Sequence, residues 1–94
     1  MNTAELSKAL PEIVTAHVPG PESEKLLNRR DAAIPQALCG KTYPICIKQG
    51  SGAMFEDLDG NKFLDWVGGV GVLNIGYSDP EVIEAVKKQT EKSG

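Results

Sequence analysis

Aromatic residues are scarce in this chain of 94 residues, which holds two phenylalanines, two tyrosines and one tryptophan. Large aromatic side chains supply much of the apolar area in a protein core. A chain of this length also buries only about 60–65% of the surface that its unfolded form exposes. The sequence therefore corresponds to one small domain at most, or to a part of a larger one.

Cysteine and histidine are also rare. Cys39 and Cys46 are the only cysteines, and His17 is the only histidine. The separation of the two cysteines matches no zinc-ligand pair, and a single histidine has no companion ligand in the sequence. We expect both thiols to be reduced, Cys46 to lie inside a strand, and no metal site to be present.

The sequence has neither a long basic run nor a long apolar run. Its net charge is −3, and no cluster of lysine and arginine exceeds two residues. Nucleic-acid binding needs a basic stripe, and a membrane-spanning helix needs about 20 mostly apolar residues. The N-terminus also lacks the basic and apolar regions of a secretory signal. We therefore expect a cytoplasmic protein that binds neither nucleic acid nor a membrane.

Glycine, in contrast, is abundant in the middle of the chain, where eight of the ten glycines fall between residues 40 and 76. The stretch GVLNIGYSDP, residues 71–80, has the two-glycine spacing of a phosphate-binding loop. However, Tyr77 occupies the position of the lysine that neutralises the phosphates. Asn74 stands where a dinucleotide-binding fingerprint needs its third glycine. No nucleotide site is expected.

The predicted elements follow the order helix, three-stranded antiparallel meander, glycine-rich loop, helix, which is an α+β arrangement. After an N-terminal arm at 1–20, the predicted bounds are a helix at 21–34, strands near 44–49, 53–58 and 61–67, a glycine loop at 68–77 and a helix at 79–92. Pro21 suits the first turn of the first helix. Asp79 followed by Pro80 is typical of the capped start of the last helix.

The hairpin inside this meander has the clearest signal. Asp59-Gly60 favours a two-residue turn, because both positions of such a turn can need a positive φ. Phe55 or Glu56 should then pair with residues 62–65 on the returning strand.

The same hairpin places four oxygen-bearing side chains at the spacing of an EF-hand calcium loop: Asp57, Asp59, Asn61 and Asp65. An EF-hand needs glycine at position 6 and a bidentate glutamate at position 12, and these positions hold Lys62 and Gly68. No calcium site is expected. We interpret the carboxylates as turn formers and as solvated strand residues.

Residues 52–89, GAMFEDLDGNKFLDWVGGVGVLNIGYSDPEVIEAVKKQ, resemble the N-terminal region of class III pyridoxal-phosphate aminotransferases. The shared features are a glycine-alanine, an Asp-x-Asp-Gly hairpin, a Leu-Asp, a glycine pair, an Asn-x-Gly and a helix that begins with proline. Upstream, residues 13–35 are similar to the opening of the 4-aminobutyrate aminotransferases in that class. The sequence departs from the class at 77–80, where members often have His-x-His-Pro.

This resemblance implies a fold-type I enzyme. Residues 21–94 would form part of its small domain, and the large cofactor-binding domain would lie outside the chain. It also implies a homodimer with pyridoxal 5'-phosphate as cofactor, which transfers the amino group of an ω-amino acid such as 4-aminobutyrate to 2-oxoglutarate. The family's Schiff-base lysine lies downstream of every motif present here. We therefore assign no catalytic or cofactor-binding residue, and we expect the chain alone to be inactive and to hold no cofactor.

The resemblance further implies that the loop after the hairpin approaches the substrate side of the cofactor. Glycine lets a backbone come close to a ligand, so Gly69 and Val70 are the predicted substrate-lining residues, with Val70 as an apolar wall. One alternative is that these glycines only turn the chain from strand to loop. Another is that the whole chain is a stand-alone module that binds a protein through this loop. Continuation of the reading frame past Gly94 into a large α/β domain would favour the enzyme.

Overall fold

The computed structural model describes residues 2–35, 37 and 43–94. Within them, the helical segments are α1 (Thr3–Leu6), α2 (Pro21–Ala33), α3 (Gly68–Gly71) and α4 (Pro80–Ser93), and the strands are β1 (Ile47–Ser51), β2 (Met54–Asp57) and β3 (Lys62–Leu64). The strands form one antiparallel meander in the order β1-β2-β3. The predicted α+β arrangement is confirmed.

The first strand lies further along the chain than the sequence predicts. Pro44 has no amide N–H to give to a ladder, and residues 43–46 are irregular, so β1 begins only at Ile47. Cys46 therefore precedes the strand instead of lying inside it. Its half-buried thiol donates to the carbonyl oxygen of Ser23 at 3.6 Å, which links this stretch to the start of α2. The prediction for Cys39 lies outside the described residues.

The hairpin of β2 and β3 has the predicted strand partners. Phe55 is paired with Phe63 and Glu56 with Lys62. The two phenylalanine rings stack with their centroids 5.1 Å apart, which adds aromatic packing to the backbone ladder on one face. Cross-strand pairing of this kind supports the hairpin from both its backbone and its side chains.

The turn of this hairpin is longer than predicted. Asp57 donates its N–H to the carbonyl oxygen of Asn61 at 3.0 Å, so the loop consists of the three residues 58–60. Of these three, only Gly60 has a positive φ, 89°. A type I turn followed by a left-handed glycine has this pattern. The two-residue turn at Asp59-Gly60 is therefore wrong, because only one position needs the left-handed conformation.

Two of the turn's polar side chains point inward. Asp57 and Asn61 are both fully buried. The Asp57 carboxylate accepts the N–H groups of Asp59 and Asn61, each at 2.9 Å. The Asn61 side-chain oxygen accepts the N–H groups of Val14 and Thr15 at 2.7 and 3.2 Å, which holds the N-terminal arm against the turn. The interpretation of Asp57 as a solvated residue is wrong, since backbone donors replace water around it.

The third polar side chain of the turn, Asp59, caps α2 from a distance in sequence. Its two carboxylate oxygens accept the N–H groups of Glu22 and Ser23 at 2.7 and 2.9 Å. The N-cap residue of α2 is Gly20, which has no side chain to serve this purpose. Burial acts to raise the pKa of Asp59. The hydrogen bonds from the backbone N–H groups of Ser23 and Glu22 outweigh this effect and keep the pKa below its ordinary value.

The N-terminal arm lies across the sheet. Short helix α1 contacts β1 and β2, its Leu6 is fully buried, and Met54 of β2 is buried as well. Further along, Glu12 and Lys62 exchange two backbone hydrogen bonds, which extends the pairing beyond β3. Two elements outside this packing are α2, in which only Ser23 is buried, and α4, which is exposed along its whole length.

The side chain of Asp79 begins α4, as predicted from the sequence, by accepting the N–H groups of Glu81 and Val82 at 3.0 and 3.1 Å. Pro80 occupies the first turn. Across the described part of the chain, no helix is both long enough and apolar enough to cross a membrane.

Gly20→Ala should destabilise the protein, because a Cβ atom at this position would overlap the carboxyl carbon of Asp59. The φ of Gly20, −77°, suits alanine, so the penalty is steric. Overpacking of this kind costs about 1–3 kcal/mol in the free energy of unfolding. Thermal or chemical denaturation measures it. The matched control is Gly94→Ala, where no atom lies within 4 Å of the added methyl group, and equal stability of the two variants would contradict the capping contact.

Candidate functional site

The loop that joins β3 to α4 is fastened to the sheet at both ends. Asp65 donates its N–H to the carbonyl oxygen of Ala53 at 2.8 Å. Tyr77 exchanges two backbone hydrogen bonds with Gly52, at 2.8 and 3.1 Å. Residues 66–76 thus form a closed surface loop whose ends meet at one place, the arrangement of an Ω-loop.

The Asp65 carboxylate is the centre of this loop. One oxygen accepts the N–H groups of Val67 and Gly68 at 3.0 and 2.9 Å. The other accepts the N–H of Gly69 at 3.0 Å and the hydroxyl of Tyr77 at 2.6 Å. Hydrogen bonds to an ionised acceptor are roughly twice as strong as neutral ones. A single side chain therefore organises the start of the loop and joins it to the loop's end.

Segment α3 is a left-handed turn. All four residues have positive φ: 65° at Gly68, 62° at Gly69, 62° at Val70 and 80° at Gly71. In this conformation a Cβ atom approaches the following carbonyl oxygen, at a cost of roughly 1–2 kcal/mol for each residue that is not glycine. The sequence GGVG meets this condition at three of four positions. Val70, a β-branched residue, is the exception.

Both predicted substrate-lining residues lie on this turn. Gly69 and Val70 line an open cleft of about 430 Å³ that runs between the loop and the sheet, and aromatic side chains make up much of its wall: Phe55, Phe63, Trp66 and Tyr77. The Val70 side chain is 82% exposed. The cleft is within the size range of small-molecule sites and is mainly apolar, with the Asp65–Tyr77 pair as its polar part.

The protonation of the Asp65–Tyr77 pair is set by its surroundings. The hydrogen bond from the Tyr77 hydroxyl, together with the backbone amides, holds the pKa of Asp65 below its ordinary value despite partial burial. Burial and the neighbouring carboxylate raise the pKa of Tyr77 to about 12. Near neutral pH Asp65 is ionised and Tyr77 is protonated. A general base works best with a pKa near the working pH, so this pair is suited to holding the loop and not to moving protons.

The lysines of the described residues are exposed or lie beside a carboxylate. Six of the seven are exposed, and the seventh, Lys62, lies 3.9 Å from the Glu12 carboxylate. A lysine nucleophile needs desolvation or a neighbouring cation to lose its proton near neutral pH. Within residues 2–35, 37 and 43–94, no three histidine, cysteine, aspartate or glutamate side chains cluster as metal ligands.

Sequence reasoning missed the two residues on which this site depends. The sequence indicates Asp65 as a position of the rejected calcium loop, as a turn former or solvated strand residue, and as part of the Leu-Asp motif, although an aspartate two to four residues before a glycine pair can accept those amides. It indicates Tyr77 as the residue in the lysine position of a phosphate-binding loop and as a departure from the family's His-x-His-Pro. The contact of Tyr77 with Asp65 spans twelve positions, and no local pattern predicts such a contact.

Tyrosine absorbance measured through an alkaline titration should show one phenol that ionises near pH 12, as the raised pKa of Tyr77 requires. Tyr77→Phe should remove this step, and Tyr43→Phe should leave it in place. Because the pKa of Tyr77 is higher in the folded state, its contribution to stability is complete below about pH 10 and disappears as pH rises towards 12. A step near pH 12 that survives in Tyr77→Phe would contradict the assignment.

The lowered pKa of Asp65 predicts a loss of folding stability at acid pH. Its contribution to stability is complete above about pH 4 and is lost as the pH falls through the lower pKa of the folded state.

Comparison with known proteins identifies the family of this chain. The family model for aminotransferase class-III matches residues 36–94. Two relatives are similar over most of the chain. The 4-aminobutyrate aminotransferase of Mycobacterium leprae is 37% identical over 89 residues, which are 95% of this chain and 19% of the relative. The alanine/serine racemase of Pyrococcus horikoshii is 36% identical over 73 residues, which are 78% of this chain and 15% of the relative.

Solved structures give the same result. An omega-transaminase from Sphaerobacter thermophilus matches with a TM-score of 0.66 and 30% identity, over 81% of this chain and 18% of the other. A transaminase with pyridoxal phosphate bound matches with a TM-score of 0.64 and 27% identity, over 77% of this chain and 18% of the other. The chain therefore spans about a fifth of the length of these proteins, and it belongs to the class-III aminotransferase family.

Proposed function

We propose that this chain forms the N-terminal, substrate-facing part of a pyridoxal-phosphate-dependent aminotransferase. The complete enzyme would take the amino group from 4-aminobutyrate or a similar ω-amino acid and give it to 2-oxoglutarate. The similarity to a 4-aminobutyrate aminotransferase and to an omega-transaminase supports this substrate class. Following the family resemblance, we also propose that the complete enzyme is a cytoplasmic homodimer.

One observation carries the proposal at the level of residues. Val70 is held in a left-handed conformation that a β-branched residue disfavours, and its side chain is nonetheless exposed beside an apolar cleft. Strained conformations of this kind cluster at functional sites, where the surrounding structure holds them in place. Packing within the chain does not explain the strain at Val70, because its side chain is exposed. Contact with a ligand would explain it.

The shape of the turn suits an unbranched amino-acid donor. Gly68, Gly69 and Gly71 present no side chains, so a substrate can come close to their backbone. Val70 would pack against the methylene groups of the donor. The residues of this chain would therefore bind and orient the substrate and exclude water from it.

Pyridoxal phosphate supplies the electron sink of the reaction when it is bound. We propose that its Schiff-base lysine lies outside this chain. Asp65 takes no part in proton transfer in this scheme, because all its hydrogen bonds are directed to the loop and its pKa is lowered.

The match with an alanine/serine racemase favours a second candidate, racemisation of an α-amino acid on the same scaffold. A racemase needs no 2-oxo acid, because it removes the proton of the α-carbon and returns a proton to the opposite face, while the amino group stays on that carbon. Assays of the complete enzyme with and without 2-oxoglutarate discriminate between the two. Turnover of 4-aminobutyrate that depends on 2-oxoglutarate supports the aminotransferase, and inversion of alanine or serine without it supports the racemase.

Val70→Glu in the complete enzyme should lower kcat/KM for 4-aminobutyrate several-fold. Two like charges about 4 Å apart repel by roughly 4 kcal/mol at an effective dielectric constant near 20. Even a quarter of that energy is about a fivefold effect on rate. A diamine donor without a carboxylate should lose less activity or gain some. Steady-state kinetics with both donors measures the difference.

The matched control is Val70→Gln, which has nearly the size of glutamate without its charge. It should affect both donors alike. The absorbance of the bound cofactor should be unchanged in both variants. Equal losses for the two donors in a folded, cofactor-loaded Val70→Glu enzyme would remove Val70 from the substrate site.

The 94-residue chain on its own should not bind pyridoxal phosphate at one specific lysine. The described lysines are exposed or paired with a carboxylate, so incubation with the cofactor and reduction by borohydride should give scattered, partial labelling. Peptide mapping of the adducts measures this. Stoichiometric labelling of a single lysine, with an absorbance band that survives dilution, would show that the chain carries the cofactor site itself.

A further inference from the structure

The conformation of α3 depends on a support that comes from outside it. The Asp65 carboxylate accepts the N–H groups of Gly68 and Gly69, the first two residues of the turn. On the other side, Leu73 donates its N–H to the carbonyl oxygen of Gly68 at 3.0 Å. Together with the hydrogen bond from the Gly71 N–H to the carbonyl oxygen of Val67 at 3.2 Å, these contacts hold the strained conformation of Val70.

The orientation of the Asp65 carboxylate depends in turn on Tyr77. The Tyr77 hydroxyl donates to the same carboxylate oxygen that accepts from Gly69. This bond, at 2.6 Å, is the shortest of the four that the carboxylate accepts. Without it, that oxygen keeps one partner and the carboxylate is freer to rotate away from the turn.

Tyr77 is rigidly placed on the sheet. Its backbone is paired with Gly52, and its ring lies directly over Gly50, where a Cβ atom would come within 2.6 Å of the ring carbon Cγ. The ring also makes an edge contact with Phe55 at a centroid distance of 6.1 Å. A continuous chain of contacts therefore runs from the sheet through Tyr77 and Asp65 to the left-handed turn.

We propose that Asp65 and Tyr77 are positioning residues for the amino donor: they hold Gly68–Gly71 left-handed and thereby keep the Val70 side chain at the substrate cleft. The conformational part of this inference stands on the hydrogen bonds alone, and its effect on the reaction rests on the function proposed above. Neither residue touches the reacting atoms.

The test uses the complete enzyme and the variants Tyr77→Phe and Asp65→Asn. Tyr77→Phe removes only the hydroxyl, and should lower kcat/KM for 4-aminobutyrate by about 3–10-fold, the size of a contact coupling between neighbouring residues. Asp65→Asn replaces one accepting oxygen by a donor and should lower it more. A diamine donor should lose activity to a similar extent, because the contact that is lost is with the methylene groups that both donors share. The absorbance of the bound cofactor should be unchanged, which separates this role from a general folding defect.

A double-mutant cycle shows whether Tyr77 acts through Val70. In the Val70→Gly background the side chain that the turn presents is gone, so adding Tyr77→Phe should change kcat/KM less than twofold. The matched control is Thr90→Val, which removes a hydroxyl bonded only to the helix carbonyl oxygen of Val86 and should leave the kinetics unchanged. Crystal structures of Tyr77→Phe and of the unsubstituted enzyme give the φ of Val70 directly, and we expect the variant to lose the left-handed value.

Three results would overturn the proposal, and they separate it from the proposed function. A left-handed Val70 with normal kinetics in Tyr77→Phe would rule out the positioning role. A donor-selective effect of Val70→Glu would still support the assignment of Val70 to the substrate site. Additive effects of Tyr77→Phe and Val70→Gly would show that Tyr77 acts elsewhere. A relaxed turn without any kinetic change would overturn the positioning role and the substrate-lining role of Val70, because the turn would then have no contact with the donor, and it would leave the aminotransferase activity itself in place.

Discussion

The ionised carboxylate of Asp65 accepts four hydrogen bonds, and the shape of residues 66–76 depends on them. Three of the donors are consecutive amides of Val67–Gly69, which a right-handed Val67 followed by left-handed glycines directs to one point. An unpaired buried donor costs about 1–3 kcal/mol, so these amides need such an acceptor wherever water is excluded. The carboxylate satisfies them together, and the strain at Val70 is compatible with a folded loop for that reason. One side chain, which directly follows β3, therefore supports both the fold of this loop and the candidate site.

At the other end of the hairpin, the turn between β2 and β3 is likewise organised by side-chain oxygens. Asp57 holds the loop, Asp59 caps α2, and Asn61 receives the N-terminal arm. These are the residues whose spacing suggests a calcium loop. That spacing brings alternate side-chain oxygens to one side of a turn, where they can meet a cation or a set of N–H groups. Here the oxygens meet N–H groups, and the turn holds together three segments that are far apart in sequence.

Local chemistry made much of the fold predictable. The capped start of α4, the start of α2 at Pro21 and the strand partners of Phe55 follow from residues that are close in sequence. The errors have equally physical causes. Asp-Gly fits a three-residue turn as well as a two-residue turn, because only the glycine must be left-handed. The burial of Asp57 depends on the arm, and the bond between Asp65 and Tyr77 depends on the closure of the loop. The substrate-lining role of Gly69 and Val70 remains a prediction. The left-handed conformation of Val70 beside an apolar cleft supports it, and this conformation is not evident from the sequence.

The resemblance of residues 71–78 to a phosphate-binding loop has an internal explanation. Successive amides in an irregular turn form an anion-binding concavity, and such a concavity exists here at Val67–Gly69. Its anion is the chain's own carboxylate, so a phosphate would have to displace Asp65 and would meet its negative charge. The second glycine of the pattern, Gly76, is required because a Cβ atom there would lie 2.7 Å from the carbonyl oxygen of Gly52. Tyr77, in the place of the lysine, is an uncharged donor that gives its hydroxyl hydrogen bond to the carboxylate. Gly76 is thus required by the closure of the loop on the sheet and Gly71 by its positive φ of 80°, and the loop is left with an apolar surface to offer a ligand.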